Sequence, residues 1–488
     1  MKNLVVSVAG VFLFVAVFAA GGWARMSGSG KIPITASSEE AKQEFLQGRD
    51  LSEKLRLQNS IQHFENAISK DPDFAYAYLL LAQSAPTAKV FFENMKKAVA
   101  VAEKVSEGER LLIIGAQAGA DGNQMKQKAT FEKLVAAYPN DERARFVLGN
   151  YYIGIQDYQH GIAEYEKCTK INPDFSPAYN SLGYGYRAIE KYDAAERAFK
   201  KYTELIPDDP NPPDSYAELL MKMGRFQESI VEYKKALSID PNFVNSRVGL
   251  VANLTYLGKP DEAAEELQKI YDMARNDGER RTALFNMVVL DVDGGNMDQA
   301  LVDADKEYAV AEKANDPANM SADLVMRGNV LREMGRYDEA IAMFDRSLKT
   351  VEQSSLPVAM KDLTRLGHHY NLATVAVMRG DLKTARKEAA EFWKDAEGRK
   401  NAFQTRRAHE LSGMIALEEK NYDKAITELK QANQLDPYNL YRLSVAYKGK
   451  KEPEKAKEFC MKAAHDNTLP ALNYAFVRSK ATKMLSAL

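Results

Sequence analysis

Prolines 139, 173, 207 and 241 are separated by 34 residues each time, and glycines 115, 149 and 183 keep the same step at another offset. Two residue types with different backbone demands do not share one period by chance, so the chain is built from a tandem structural unit. Ala217 carries the glycine ladder forward, while Ala82 and Gly48 carry it back by steps of 33 and 34 residues, with Pro72 where the preceding terminator belongs. The unit therefore starts near Ala41.

Within residues 176–209, Tyr179, Leu182, Gly183 and Tyr186 fall at i, i+3, i+4 and i+7, which makes one face of a helix. After a break at Lys191-Tyr192-Asp193, helical spacing returns with Ala195, Ala198, Phe199 and Tyr202. Asp193 and Glu196 are placed to cap that second helix, and Asp261, Asp298, Asp338 and Asp423 recur at the same offset, each two residues before an alanine. Gly224, Gly258, Gly295, Gly335 and Gly380 mark the ends of first helices, where a left-handed residue is needed. Asp71-Pro72, Asn172-Pro173, Asp240-Pro241 and Asp436-Pro437 stop second helices, because the residue before proline avoids helical geometry.

At this point the chain resembles the tetratricopeptide repeat family. Tyr179, Leu182, Gly183, Tyr186, Ala195, Phe199 and Pro207 follow that family's pattern, with Tyr179 in place of the usual tryptophan. The resemblance runs from Ser38 to the C-terminus and implies an all-α, right-handed superhelical solenoid of antiparallel helix pairs. About 11–12 pairs and a C-terminal capping helix fit the length. A single globular core of 488 residues would be unusually large, whereas a solenoid grows one repeat at a time.

The period is strict over residues 39–277 and loosens over 278–468, where anchor alanines 300, 340, 385, 425 and 456 are spaced by 40, 45, 40 and 31. Longer helices or turns are implied there. Residues 83–107, interrupted by Pro86, read as a helix out of register, and residues 469–488 read as the capping helix.

Lys2 precedes an uncharged stretch from Leu4 to Ala24, so residues 1–24 look like an export signal, cleaved after about Ala24 or retained as a membrane anchor. The repeats then lie outside the cytoplasm, in the periplasm or associated with a bacterial cell envelope. Residues 25–38, containing Ser, Gly and Pro33, read as a flexible linker.

Catalysis has little to stand on. Cys168 and Cys460 read as buried packing residues, and His369 and His409 fall at inter-helix packing positions, with His368 beside the first. Asp291, Asp293, Asn296 and Asp298 lack the offsets of a helix-loop-helix calcium site and read as an inter-helix turn. No phosphate loop, nucleophile elbow or dinucleotide fingerprint occurs, so no enzyme, metal or cofactor is expected. A net charge of -2 with interspersed signs gives no nucleic-acid footprint.

Binding of a protein or peptide remains. In the family that the chain resembles, first helices line a concave groove, and register places Phe146, Asn150, Asn180, Tyr184, Arg187, Asp214 and Glu218 along it. Tyrosine offers contact area while amides and charges pair with an extended peptide. Asp214 and Glu218 argue against the family's known capture of a C-terminal carboxylate. The expected function is an exported, non-catalytic scaffold for envelope proteins. Capture of a glycan or other small ligand through tyrosines, and a sensory arm of a membrane-anchored signalling complex, are the alternatives.

Overall fold

A computed structural model describes residues 30–488. The export signal and linker residues 25–29 lie outside the described residues. Among those described, 25 α-helices and no strand occur.

Twelve pairs follow one another. The first seven are α1 (Glu39–Glu53) with α2 (Leu57–Lys70), α3 (Ala75–Gln83) with α4 (Ala88–Ala100), α5 (Glu107–Ala120) with α6 (Gln124–Ala137), α7 (Glu142–Gly154) with α8 (Tyr158–Ile171), α9 (Ser176–Ala188) with α10 (Tyr192–Leu205), α11 (Asn211–Lys222) with α12 (Phe226–Ile239), and α13 (Val244–Tyr256) with α14 (Pro260–Asp272). The rest are α15 (Asp277–Gly294) with α16 (Met297–Lys313), α17 (Pro317–Glu333) with α18 (Tyr337–Glu352), α19 (Val358–Arg379) with α20 (Leu382–Arg399), α21 (Ala402–Glu418) with α22 (Tyr422–Leu429), and α23 (Pro437–Gly449) with α24 (Pro453–Ala464). A last helix, α25 (Leu472–Leu485), packs on α23, α24 and α15. Helices α15 to α21 run to 16–22 residues, which accounts for the stretched spacing in that half.

The 34-residue glycine ladder has a packing cause. A Cβ on Gly183 would lie 2.5 Å from the ring of Phe199, and one on Gly149 2.5 Å from that of Tyr165. The aromatic residue of the second helix thus lies flat against the backbone of the first. Alanines 195, 263, 300, 340, 385, 425 and 456 are fully buried at the facing position. Gly224, Gly258, Gly295, Gly335 and Gly380 all take φ between 71° and 82°, the left-handed turn expected of them.

The capping reading needs correction. Helix α10 starts at Tyr192 and its N-cap Lys191 makes no side-chain cap bond, so Asp193 lies inside the first turn. Asp261, Asp298, Asp338 and Asp423 sit likewise, where they favour the positive helix end without capping it. Side-chain caps come from residues one turn position earlier, such as Asn123, Asp157, Asp381 and Asn421.

Residues 31–37, read from sequence as part of a flexible linker, are a strap pinned across three repeats. The Ile32 amide donates to Asp141 Oδ2 at 2.8 Å, that of Thr35 to Glu109 Oε1 at 2.9 Å and that of Ser37 to Asp71 Oδ2 at 2.6 Å. Ile32 and Ile34 pack on the core formed by α1 to α7. Alternating apolar residues beneath a Ser/Gly composition gave no helical signal, and the acceptors they need lie up to 109 residues away.

The array also closes on itself. Ala402 N donates to Gln124 Oε1 at 2.9 Å, Arg406 to the Ile155 carbonyl at 3.1 Å and Gln156 to Asn433 at 2.9 Å. Further on, Lys222 meets Asp466 at 2.8 Å and Arg478 Nε meets Asp293 at 2.6 Å. Tyr474, Phe476 and Val477 share one core with Val288, Val289 and Val330. Each such side chain removed from water is worth about 1.5–3 kcal/mol, against at most ~1 kcal/mol for an accessible ion pair, so apolar burial holds the closure and the charges set its register.

Candidate binding groove

Closure decides which parts of the concave face remain open. Around the middle repeats, Tyr184 OH lies 2.9 Å from Glu218 Oε1 and 3.2 Å from Ser215 Oγ, and Arg187 Nη1 donates to Glu218 Oε2 at 2.9 Å. The Arg187 guanidinium stacks 4.7 Å above the Tyr184 ring. Asp214 accepts from Ser246 at 2.7 Å, and burial with the neighbouring Glu218 charge pushes its carboxyl well above the usual range. Burial likewise raises the Tyr184 hydroxyl. Four of the residues that register assigned to a peptide groove are therefore brought together, but as partners of one another.

Phe146 packs between Tyr165 and Phe175, with ring centroids 5.5 Å and 5.4 Å away, and Asn180 is 7% exposed. These two serve the core, which corrects their assignment to the groove surface. Tyr184 and Arg187 keep one open side, on a chamber of about 600 Å³ shared with Tyr158, Lys222, Phe459 and His465.

Asn150 is exposed as expected. Its Oδ1 accepts from Tyr165 OH at 2.6 Å, which directs the Nδ2 hydrogens outward. It borders a hollow of about 390 Å³ on the first helices α3, α5 and α7, with Gln83, Phe91, Gln127 and Tyr151 around it. Sequence reasoning missed these four neighbours. Pro86 shifts α4 out of the repeat register, so that Phe91 swings over the hollow where a regular second helix would have turned it into the core. A larger cleft of about 1000 Å³ adjoins α4 and α5 on the side facing residues 315–357, lined by Phe92, Lys96, Val99, Met320 and Leu356.

Amide side chains flanked by aromatic rings suit a peptide backbone, because an amide both donates and accepts. No general base, nucleophile or ligand cluster faces either space. Among the described residues no group of three His, Cys, Asp or Glu could hold a metal. His369 and His409 each place Nδ1 2.7–2.8 Å from a glutamate of the paired helix, Glu388 and Glu428. Asp293 is engaged by Arg478, and Gly295 caps α15. Both cysteines are buried, free thiols donating to carbonyls, and burial pushes Cys168 up to about 12. No helix of the described residues is long and apolar enough to cross a membrane.

Family models described as tetratricopeptide repeat match residues 142–175, 176–209, 215–243, 326–357, 407–439 and 438–464. No curated protein matches the chain. Similar solved structures include a MamA fragment, residue 41 to the end, from Desulfovibrio magneticus RS-1, at 17% identity over 35% of this chain and 96% of that one, TM-score 0.30. YrrB, described as a tetratricopeptide-repeat protein with an unusual peptide-binding site, is 19% identical over 37% of this chain and 91% of its own, TM-score 0.26. A thermophilic repeat protein of Thermus thermophilus is 20% identical over 44% of this chain and 98% of its own, TM-score 0.29. With the repeats matched and the paired helices stacked in order, the chain is a tetratricopeptide-repeat protein.

Proposed function

We propose that this protein is an exported, non-catalytic scaffold that holds an extended segment of an envelope protein in the open part of its concave face. The observation that carries the reading is the hollow on α3, α5 and α7, where Gln83, Gln127 and Asn150 surround an aromatic floor while the middle groove is filled by the chain itself. Peptide amides and carbonyls would pair with the side-chain amides, and Phe91 and Tyr151 would cover alternate side chains. Export is supported by Lys2 and the apolar run from Leu4 to Ala24.

Crosslinking and affinity purification from envelope fractions tests it. The native chain should recover a stoichiometric protein partner, and a folded Gln83→Ala/Asn150→Ala variant should lose it. Recovery of the same partner by both chains would move the site elsewhere on the solenoid.

A further inference from the structure

One stretch of the concave face already shows what it binds. The lead-in to α25 and the helix itself lie against α13 and α15. Tyr474 sits with its ring 5.7 Å from Tyr256, and Arg478, one turn later, stacks 5.6 Å from the same tyrosine while pairing with Asp293. Ahead of the helix, Tyr256 OH donates to the Thr468 carbonyl, and Lys222 Nζ donates to the Asp466 carbonyl at 2.7 Å.

The two sides of α25 differ in fit. Against α24 the packing is close: Cys460, Ala463 and Ala481 are fully buried and the Cys460 thiol donates to the Ala481 carbonyl. Against α13 and α15 a narrow void of about 20 Å³ remains between Val251, Asn286, Val289, Pro470 and Ala475, room for roughly one water. The buried Asn286 Oδ1 there has no hydrogen-bond partner. Between α24 and α25 the chain is irregular, with Asn467 at φ 49° and Pro470 excluding a continuous helix. The imperfect seam is thus the one across the groove, and a joint lies next to it.

We propose that the surface of α13 and α15 is a helix-docking site which α25 occupies in cis, and that a partner helix bearing an aromatic residue and an arginine four positions later competes for it. Tyr256 and Asp293 read that pair, and Lys222 reads the carbonyl end of the preceding turn. Resting on the scaffold reading, the latch adds regulation to it: the groove on α3, α5 and α7 stays open, whereas this one becomes available only when α25 leaves.

The test needs no partner and uses the full chain with a labelled peptide of residues 465–488 as the probe. The native chain should take up little peptide. An Arg478→Asp variant should bind it at least tenfold more tightly and show faster amide exchange in α15, and an added Asp293→Arg, which restores the pair with signs swapped, should return both readings towards native. Asp293→Asn, a milder change, should fall between. Unchanged exchange in Arg478→Asp and Asp293→Asn would make α25 a permanent part of the core and overturn the latch. Faster exchange without peptide uptake would overturn the docking site. Either failure leaves the envelope-partner experiment untouched, since that one reads a different groove.

Discussion

Single residues in this chain carry backbone demands that the repeat cannot relax. Gly183 has no room for a methyl group beside Phe199, so Gly183→Ala should lower the urea midpoint, by about 1–3 kcal/mol of stability, with Phe199 having to leave its rotamer. Glu190, Lys420 and Lys451 hold φ of 59° to 61° at turns where other repeats use glycine. Glu190→Gly should accordingly raise the melting temperature, with a gain of up to about 1 kcal/mol. Glu307 offers a pH test. Burial and the nearby Asp323 charge raise its carboxyl from 4.5 to about 8, although Arg281 opposes this. A raised carboxyl pKa stabilises fully below the unfolded value and is lost as pH climbs through the folded one. Stability should therefore decline from pH 4.5 towards 8, and Glu307→Gln should flatten that decline in unfolding curves taken across the window.

Pairs of helices repeat their chemistry as well as their shape. A basic or imidazole group on one helix and a glutamate on its mate meet at a constant separation of 19 residues: Arg145 with Glu164, Arg247 with Glu266, His369 with Glu388 and His409 with Glu428. That spacing stood in the sequence beside the glycine and proline ladders, and it would have assigned the two histidines directly. Capping was less legible, since the same acidic residues fit a cap and a first turn, and only the position of the left-handed residue decides between them. Asp141 and Asp193 separate the two roles. Asp141 Oδ1 accepts from Ala144 N at 2.8 Å as a true N-cap and its other oxygen holds the strap. Asp141→Ala should cost about 1–2 kcal/mol in denaturant unfolding, whereas Asp193→Ala should leave the midpoint unmoved.

At the scale of the whole molecule, periodicity specified the pairs and their order but not where the array meets itself. Closure rests on partners 185 residues apart for Arg478 and 244 for Lys222, and no local pattern encodes such a meeting. For the same reason the groove register was right about Asn150 and misleading for Tyr184, Arg187, Asp214 and Glu218, which sit where the chain turns inward upon itself. An open solenoid unravels by nearest-neighbour steps. Here Tyr474 and Val477 tie distant repeats together, so Tyr474→Ala should split a single calorimetric transition into two. The residues that close the array, 466–480, follow all twelve pairs in chain order. A chain that emerges N-terminus first, whether from a ribosome or through a membrane, must therefore pass through an open stage in which every concave surface is bare. The time between completing the last pair and seating the final helix is the interval in which a partner or a stray neighbour could reach those surfaces first.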